Sequence, residues 1–360
     1  MKVGIAGAGS IAIGYAALLL QHGHTPLFWS RSRERTAAAS LGEPLTISGA
    51  ITTEFRPLLC ATAEELGEAD VIVLALPAYG HRFVIDALVP HLTSRHSVII
   101  SAHLSFAALY LAKKLAERGI EIPITAWSTT VLTCKPRSAN AFNIGAVRAK
   151  VDMAALPARF AQRAHAVCTN LFGDRFDVKD DIITIALSNL NPQDHMGIAL
   201  CNLTRIERGE DWGQNSNVTP AVGRFLEALD LERLAIAAAF GKTVRSTFDH
   251  FRLSFDISGQ TVSEISSTLV ERGSDPAGPK STDTRYVLED VPFGLIPTLY
   301  LARAAGVPAP LHESGVQILS ACYGRDFAAE NDLLPEIGPL DLPTLTRRAV
   351  EGYPVAADIM

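Results

Sequence analysis

The chain opens Lys2-Val3-Gly4-Ile5-Ala6-Gly7-Ala8-Gly9-Ser10-Ile11-Ala12, and no other stretch restricts the fold as much. A short apolar strand runs into a glycine turn, and an apolar helix begins directly after it. Small residues stand where a strand–turn–helix wrapped around a pyrophosphate needs them. Gly7 permits the tight turn, Gly9 lets the backbone approach phosphate oxygens, and Ala12 lets helix and strand pack closely. Ser10 and Ile11 complete the first turn, whose unpaired N–H groups and positive dipole end favour an anion. The glycine pattern is weak evidence on its own. After a strand, at the start of a βαβ unit, it predicts a dinucleotide-binding α/β domain.

The rest of the N-terminal half supports that expectation by alternation. Strand patterns at Lys2–Ala6, Thr25–Trp29, Asp70–Leu76, Ser97–Ser101 and Pro123–Ser128 are separated by helical patterns at Ile11–His22, Arg31–Leu41, Arg82–Leu92 and Ala107–Arg118. Such alternation builds a doubly wound parallel sheet with helices on both faces. Residues 139–153 read as an added β segment and Pro157–Leu171 as a covering helix. Beyond Lys179 the spacing becomes helical almost throughout, from Asp181–Leu190 to Glu313–Tyr323. The expected architecture is a Rossmann-type domain over 1–180 and an all-helical domain over 181–360, the latter for substrate and dimer contacts.

At 360 residues, two cores are affordable. A net charge of −6 argues against a nucleic-acid surface. Cys60, Cys134, Cys168, Cys201 and Cys322 are odd in number and have no Cys-x-x-Cys spacing. They read as reduced thiols of a cytoplasmic protein. Val3 to Leu20 carries no charge. Its four glycines and early start suit a strand–turn–helix better than a membrane span or signal peptide, so no membrane role is expected. No His, Cys and carboxylate set has zinc spacing, and no metal is expected.

The second strand bears on which dinucleotide binds. NAD-binding versions of this fold place an acid at its end, bonded to ribose hydroxyls. Here the strand ends Phe28-Trp29-Ser30-Arg31-Ser32-Arg33, and Glu34 falls inside the following helix. Arg31 with Ser30 suits a 2′-phosphate, and a guanidinium also stacks on adenine. NADP(H) is therefore favoured over NAD(H). Pro77 and His81, just after the Asp70–Leu76 strand, are further cofactor candidates, although a packed loop histidine is the simpler reading of His81.

A hydride-transfer enzyme also needs a proton donor, usually histidine. His195 follows Asn191-Pro192-Gln193-Asp194, which reads as a helix start with Asn191 as N-cap and Pro192 first in the helix. A helix N-terminus disfavours the imidazolium and a carboxylate partner favours it. By itself, His195 reads more readily as structural than as catalytic. The second polar cluster is Thr284-Arg285-Tyr286-Val287-Leu288-Glu289-Asp290. Either it merely opens a helix, or Arg285 grips a substrate carboxylate while Asp290 orients His195. His103, after the Ser97–Ser101 strand, is a weaker catalytic candidate. His22, His24 and His250 read as surface residues.

These pieces together resemble the opine dehydrogenase family, the octopine and nopaline group, and are similar to its bacterial N-(1-carboxyethyl)-norvaline type. The resemblance spans nearly the whole chain. It is carried by the glycine turn, Pro77-Ala78-x-x-His81, Thr133-Cys134 and Ser188-Asn189-x-Asn191-x-x-x-His195. It continues through Asn202-x-x-Arg205-x-Glu207, Thr219-Pro220-x-Val222-Gly223, Glu232-Arg233-x-Ala235 and Thr284-Arg285-Tyr286-x-x-Glu289-Asp290. The histidine and Arg-Tyr-x-x-Glu-Asp motifs are the specific ones.

The resemblance implies an NAD(P)H-linked enzyme that reductively condenses an amino acid's amine with an α-keto acid through an imine, or runs the reverse oxidation. It implies His195 as acid/base group, Asp290 as its carboxylate partner and Arg285 as carboxylate anchor, with Ser128 and Asn202 towards the substrate. Alternatives are a 2-keto-acid or hydroxy-acid reductase without amine condensation, and a dinucleotide-binding sensor without turnover. A homodimer is an expectation by analogy only. The chain departs from the family at three places. Met196 stands where a proline commonly follows the histidine, Ala126-Trp127 precedes Ser128 where relatives carry an acid and a threonine, and residues 209–217 lack the tyrosines of relatives.

Overall fold

The apolar N-terminal run lies in the middle of a sheet in a computed structural model, which describes residues 1–31, 44–103 and 106–355. Its first strands are β1 (Lys2–Ala6), β2 (Thr25–Trp29), β3 (Leu45–Gly49), β4 (Thr53–Phe55), β5 (Leu58–Leu59) and β6 (Val71–Leu74). Then come β7 (Ser97–Ile100), β8 (Ile124–Trp127), β9 (Leu132–Pro136), β10 (Ala141–Val147), β11 (Val151–Leu156) and β12 (Phe176–Val178). The main sheet runs β12-β11-β8-β7-β6-β1-β2-β5. Its neighbours are parallel except β8 and β11, which are antiparallel. Because β1 pairs with both β2 and β6, strand order reverses between β1 and β6. That reversal is where an open α/β sheet leaves a crevice at its carboxyl edge.

Among the described residues, the longer helices against the sheet are α1 (Ser10–Gln21), α2 (His81–Leu88), α3 (Ala107–Ala116) and α4 (Ala161–Phe172). The helical pattern expected from Arg31 falls, from Ser32 onwards, outside the described residues, and Arg33 and Glu34 lie there too. A second sheet, β4-β3-β10-β9, was not legible in the periodicity of residues 45–59. The segment 139–153, expected as one β addition, is two strands in different sheets: β10 pairs with β3 and β9, and β11 joins the main sheet.

This second sheet explains the missing charge from Val3 to Leu20. α1 contacts β1 and β2, and also β9 and β10. It is thus covered on more than one side, and Ala12 to Leu19 are all buried. Gly14 makes the approach feasible, since a Cβ there would stand 2.6 Å from Leu132 Cδ1. Tyr15 closes the core by edge contacts to Trp127 and Phe172 and by a 2.5 Å hydrogen bond between its hydroxyl and Ser101 Oγ. Among the described residues, no helix is long and apolar enough to cross a membrane. All five cysteines are free thiols, and Cys201 and Cys322 are exposed.

By its contacts the chain forms two units: Met1–Ile185 with the stretch from Thr346, and Ala186–Leu345. The expected division placed 346–360 with the helical half. The described part of that stretch clusters with the first unit instead, where Gly352 and Tyr353 line a small cavity with Ala112, Leu115, Ile124 and Pro157.

The second unit contains α5 (Asn191–Cys201), α6 (Leu203–Glu207), α7 (Pro220–Ala239), α8 (Thr247–Phe255) and α9 (Val262–Glu271). α10 (Arg285–Leu288), α11 (Ile296–Ala305) and α12 (Pro310–Tyr323) follow. Its described residues form no strand, only an isolated bridge between Gly213 and Ala277. Thr219 caps α7 by accepting from Val222 N, with Pro220 at the first helical position. Close helix contacts again depend on glycines: a Cβ at Gly223 would stand 2.9 Å from Ser263 N, and one at Gly197 2.4 Å from Leu226.

Candidate active site

In the first unit, the turn after β1 is shaped by two glycines with opposite demands. Gly7 has φ +135°, and a Cβ on it would lie 2.2 Å from the Ala75 carbonyl oxygen at the end of β6. Only glycine fits there. Gly9 has ordinary φ and ψ of −83° and 177°, and a Cβ on it would meet nothing within 4 Å. The first helical bond is Ile13 N to Gly9 O at 3.1 Å, and Gly9 offers no side-chain cap. The amides of Ser10, Ile11 and Ala12 therefore lack acceptors within the helix. Open space in front of uncapped amides suits a diphosphate, so the residues fit the dinucleotide they were expected to hold.

Ser30 and Arg31 lie at the carboxyl end of β2. The Arg31 guanidinium sits 5.3 Å over the Phe83 ring, and that ring stacks on Trp29 at 6.4 Å and 13°. Phe83 is 45% exposed, so an aromatic face with a cation above it stands beside the place expected for adenosine. Pro77 begins the turn after β6, and His81 is the first residue of α2. Burial pulls His81 down to about 4, against a hydrogen bond that the ring donates to the Leu76 backbone, which raises it. It is a neutral imidazole, with no charge to offer a phosphate. His103 is pulled down further, to about 3, by burial and by His81. Its Nε2 accepts from Ala108 N at 3.3 Å at the start of α3, which makes it a helix cap rather than an acid.

In the second unit, His195 and Asp290 meet across a sequence separation of 95 residues. The helix α5 begins at Asn191, one position earlier than expected. Asn191 is thus inside the helix, and its N–H is bound by the Asn189 side chain at 3.0 Å. This places His195 in the second turn of α5, with Nδ1 2.6 Å from Asp290 Oδ2. A carboxylate only accepts, so Nδ1 carries the hydrogen and Nε2 is the nitrogen left to exchange protons. The histidine side chain is 20% exposed and the aspartate 5%.

Sequence reasoning passed over the residue that faces this imidazole. The Tyr286 ring lies parallel to it, with centroids 3.6 Å apart and 7° between planes. The phenol donates to Gln214 Oε1 at 2.5 Å. Burial, and then Asp290, push the phenol above its usual range, against Arg285, so it stays protonated and able to donate. The signal was present in Arg285-Tyr286-x-x-Glu289-Asp290, because positions four apart share a helix face. Tyr286 and Asp290 form one such pair. Arg285 and Glu289 form the next: Arg285 Nε donates to Glu289 at 2.5 Å, with Arg285 72% exposed and Glu289 4%.

Behind α5 is a buried polar layer that the sequence did not reveal. Asp230 accepts from Gln193 at 2.9 Å, from Arg233 Nε and Nη2 at 3.0 and 2.7 Å, and from Thr247 N at 2.8 Å. Arg233 also donates to the carbonyls of Leu187 and Arg245. Burial, reinforced by Asp230, pushes Asp194 up to about 7 despite His195 and Arg233. Asn202 ends α5, and its side-chain amide donates to Ile198 O at 3.0 Å. Ser128 follows β8 in the first unit, where its N–H donates to Asp152 O at 2.9 Å. Two of the departures from the family have packing explanations. Met196 is fully buried, and a Cβ on Gly315 would stand 2.4 Å from its sulfur. Ala126 and Trp127 are wholly buried within β8.

Residues 178–323 match the family model described as NAD/NADP octopine/nopaline dehydrogenase, alpha-helical domain. Residues 3–103 match that of ketopantoate reductase PanE/ApbA. The chain is 29% identical to an opine dehydrogenase of Arthrobacter sp. (strain 1C) over 347 residues, covering 93% of this chain and 94% of the relative. In fold it is similar to octopine dehydrogenase solved with NADH and L-arginine, with a TM-score of 0.81 at 16% identity over 96% of this chain and 98% of the other. It is also similar to yersinopine dehydrogenase with NADP+, with a TM-score of 0.70 at 16% identity over 97% and 98%.

Proposed function

We infer that this opine-dehydrogenase-like chain is an NAD(P)H-dependent oxidoreductase acting on a CH–NH bond. It condenses the amine of an amino acid with an α-keto acid and reduces the resulting imine, or runs the reverse oxidation. The observation that carries this reading is the His195–Asp290 contact of 2.6 Å, in a helical unit that matches the octopine/nopaline model.

The bound nicotinamide supplies the hydride. Ser10, Ile11 and Ala12 offer amides to the diphosphate in front of Gly9, while Pro77 and His81 stand on the β6 side. His195 works through Nε2. As the imidazolium it gives its proton to the hydroxyl of the carbinolamine, which leaves as water and yields a protonated imine. Hydride addition then gives the secondary amine with no further proton needed. Asp290 keeps the hydrogen on Nδ1 and offsets the imidazolium charge. Arg285 is the anchor for a substrate carboxylate, a group present on both substrates, with Ser128 and Asn202 as secondary candidates. Arg31 and Ser30, at a strand end with no acid, favour NADP(H). The free thiols suit a reducing, cytoplasmic setting.

The test is NADPH oxidation with pyruvate, with and without a mixture of amino acids. Amine-dependent oxidation that falls by at least ~10²-fold in His195→Ala, with NADPH affinity retained, is the expected result. Amine-independent oxidation would replace the reading by a keto-acid reductase, and binding without oxidation by a sensor.

A further inference from the structure

We propose that Tyr286 and Gln214 form a positioning pair that fixes the plane of the His195 imidazole and so aims its Nε2. The proposal rests on the reading of His195 as the acid/base group. The hydrogen bond from Nδ1 to Asp290 and the Cβ–Cγ bond anchor two points of the ring but leave its plane free to tilt about the line between them. The parallel Tyr286 ring, 3.6 Å from the imidazole centroid, removes that freedom. Edge and face restraints come from the same short stretch, because Tyr286 and Asp290 are four residues apart around α10 and the turn after it.

The phenol extends the restraint to a second segment through its 2.5 Å bond to Gln214. That segment is itself clamped. Gln214 N donates to Pro276 O at 2.8 Å, and Gly278 N to Trp212 O at 2.9 Å. Asp275 accepts from Asn215 N at 2.8 Å and from Ser216 N at 3.2 Å. The Trp212 indole donates to Pro279 O at 3.1 Å. The two glycines leave no slack: a Cβ on Gly213 would lie 1.8 Å from the Asp275 carboxylate, and one on Gly278 2.3 Å from the Trp212 ring. Residues 209–217, the segment without the family's tyrosines, thus hold the tyrosine of another segment in place.

The test compares Tyr286→Leu, Tyr286→Phe, Gln214→Ala and the Phe/Ala double variant, using NADPH, pyruvate and the amino-acid mixture. Tyr286→Leu should lower kcat by about 10- to 100-fold, the scale of a misaimed catalytic group, with the KM for NADPH unchanged. Tyr286→Phe keeps the face and should recover most of that loss. Gln214→Ala should match Tyr286→Phe, and the double variant should be no worse than either single one. In the protein without substrates, the His195 ring protons should be shifted upfield in the wild type and in Tyr286→Phe, and lose that shift in Tyr286→Leu. Wild-type kcat in a folded Tyr286→Leu, additive single losses, or an unchanged His195 shift would each overturn the proposal. Normal turnover of His195→Ala would instead remove the acid/base reading, and the proposal with it.

Discussion

Replacing Gly7 and Gly9 separately by alanine should produce two different failures. At Gly7 the new methyl lies 2.2 Å from the Ala75 carbonyl oxygen and 2.9 Å from its carbon. Neither is the end of a flexible side chain, so β1 and β6 must separate. Holding a non-glycine residue at φ +135° adds about 1–3 kcal/mol, and overpacking adds about another 1–3 kcal/mol. The sum, about 2–6 kcal/mol, is a large part of the roughly 5–15 kcal/mol that holds a domain together. At about 2–4 °C per kcal/mol for a unit of this size, the thermal midpoint should fall by roughly 4–24 °C without any cofactor. At Gly9 the dihedrals are those of any extended residue and the methyl meets nothing. Stability should therefore change by less than ~1 kcal/mol. The methyl occupies the space in front of the α1 amides, and displacing a phosphate from one charge-assisted hydrogen bond is worth about 1.5–3 kcal/mol. NADPH should bind about 10- to 100-fold more weakly, read by titration of cofactor fluorescence alongside a melting curve. Wild-type NADPH affinity in Gly9→Ala, or a wild-type melting point in Gly7→Ala, would refute the reasoning.

Three further outcomes are expected. Arg285→Lys should raise the KM for the keto acid, because a point charge replaces a planar fork; an unchanged saturation curve counts against the anchor. Arg31→Ala should weaken NADPH by about tenfold or more while leaving NADH nearly unaffected, and equal losses for the two cofactors would remove the argument for NADP(H). Asp194, raised to about 7 mainly by burial, keeps a proton in the folded chain that the unfolded chain releases near 4. Its contribution to stability is therefore full below about pH 4 and is lost as pH rises through 7. The melting point of Asp194→Asn relative to wild type should improve from pH 5 to about pH 7 and level off above it, and a difference independent of pH would show that Asp194 does not titrate in this way.

Much of the first unit was legible because its signals are local. Gly7 and Gly9 state their demands within a few residues, and four consecutive buried positions in β6 read as a strand at sight. The second sheet was not legible because its strands are short and partly exposed: β5 has two residues, and β3 pairs with β10 nearly a hundred positions later. The candidate site divides in the same way. The four-residue spacing of Tyr286 and Asp290 is in the sequence, but the imidazole that both engage is not. The residues alone left Asp290 either as a helix opener or as the partner of His195, and it was the family resemblance, not the spacing, that favoured the second. The buried layer of Asp230, Arg233 and Thr247 gave no warning, since a charged residue on a helical pattern reads as solvated until its neighbours are known.

The return of the chain from Thr346 to the first unit bears on the order in which the protein is made. The helical unit is an insertion: it begins and ends inside a nucleotide-binding unit that supplies both flanking segments. During synthesis the helical unit is complete before the residues that finish its host. Gly352 and Tyr353, which join Ala112 and Pro157 around a cavity, are made only after the whole helical unit. Chains cut just before Thr346 retain His195, Tyr286 and Asp290, yet leave the unit that holds the glycine turn without its returning segment.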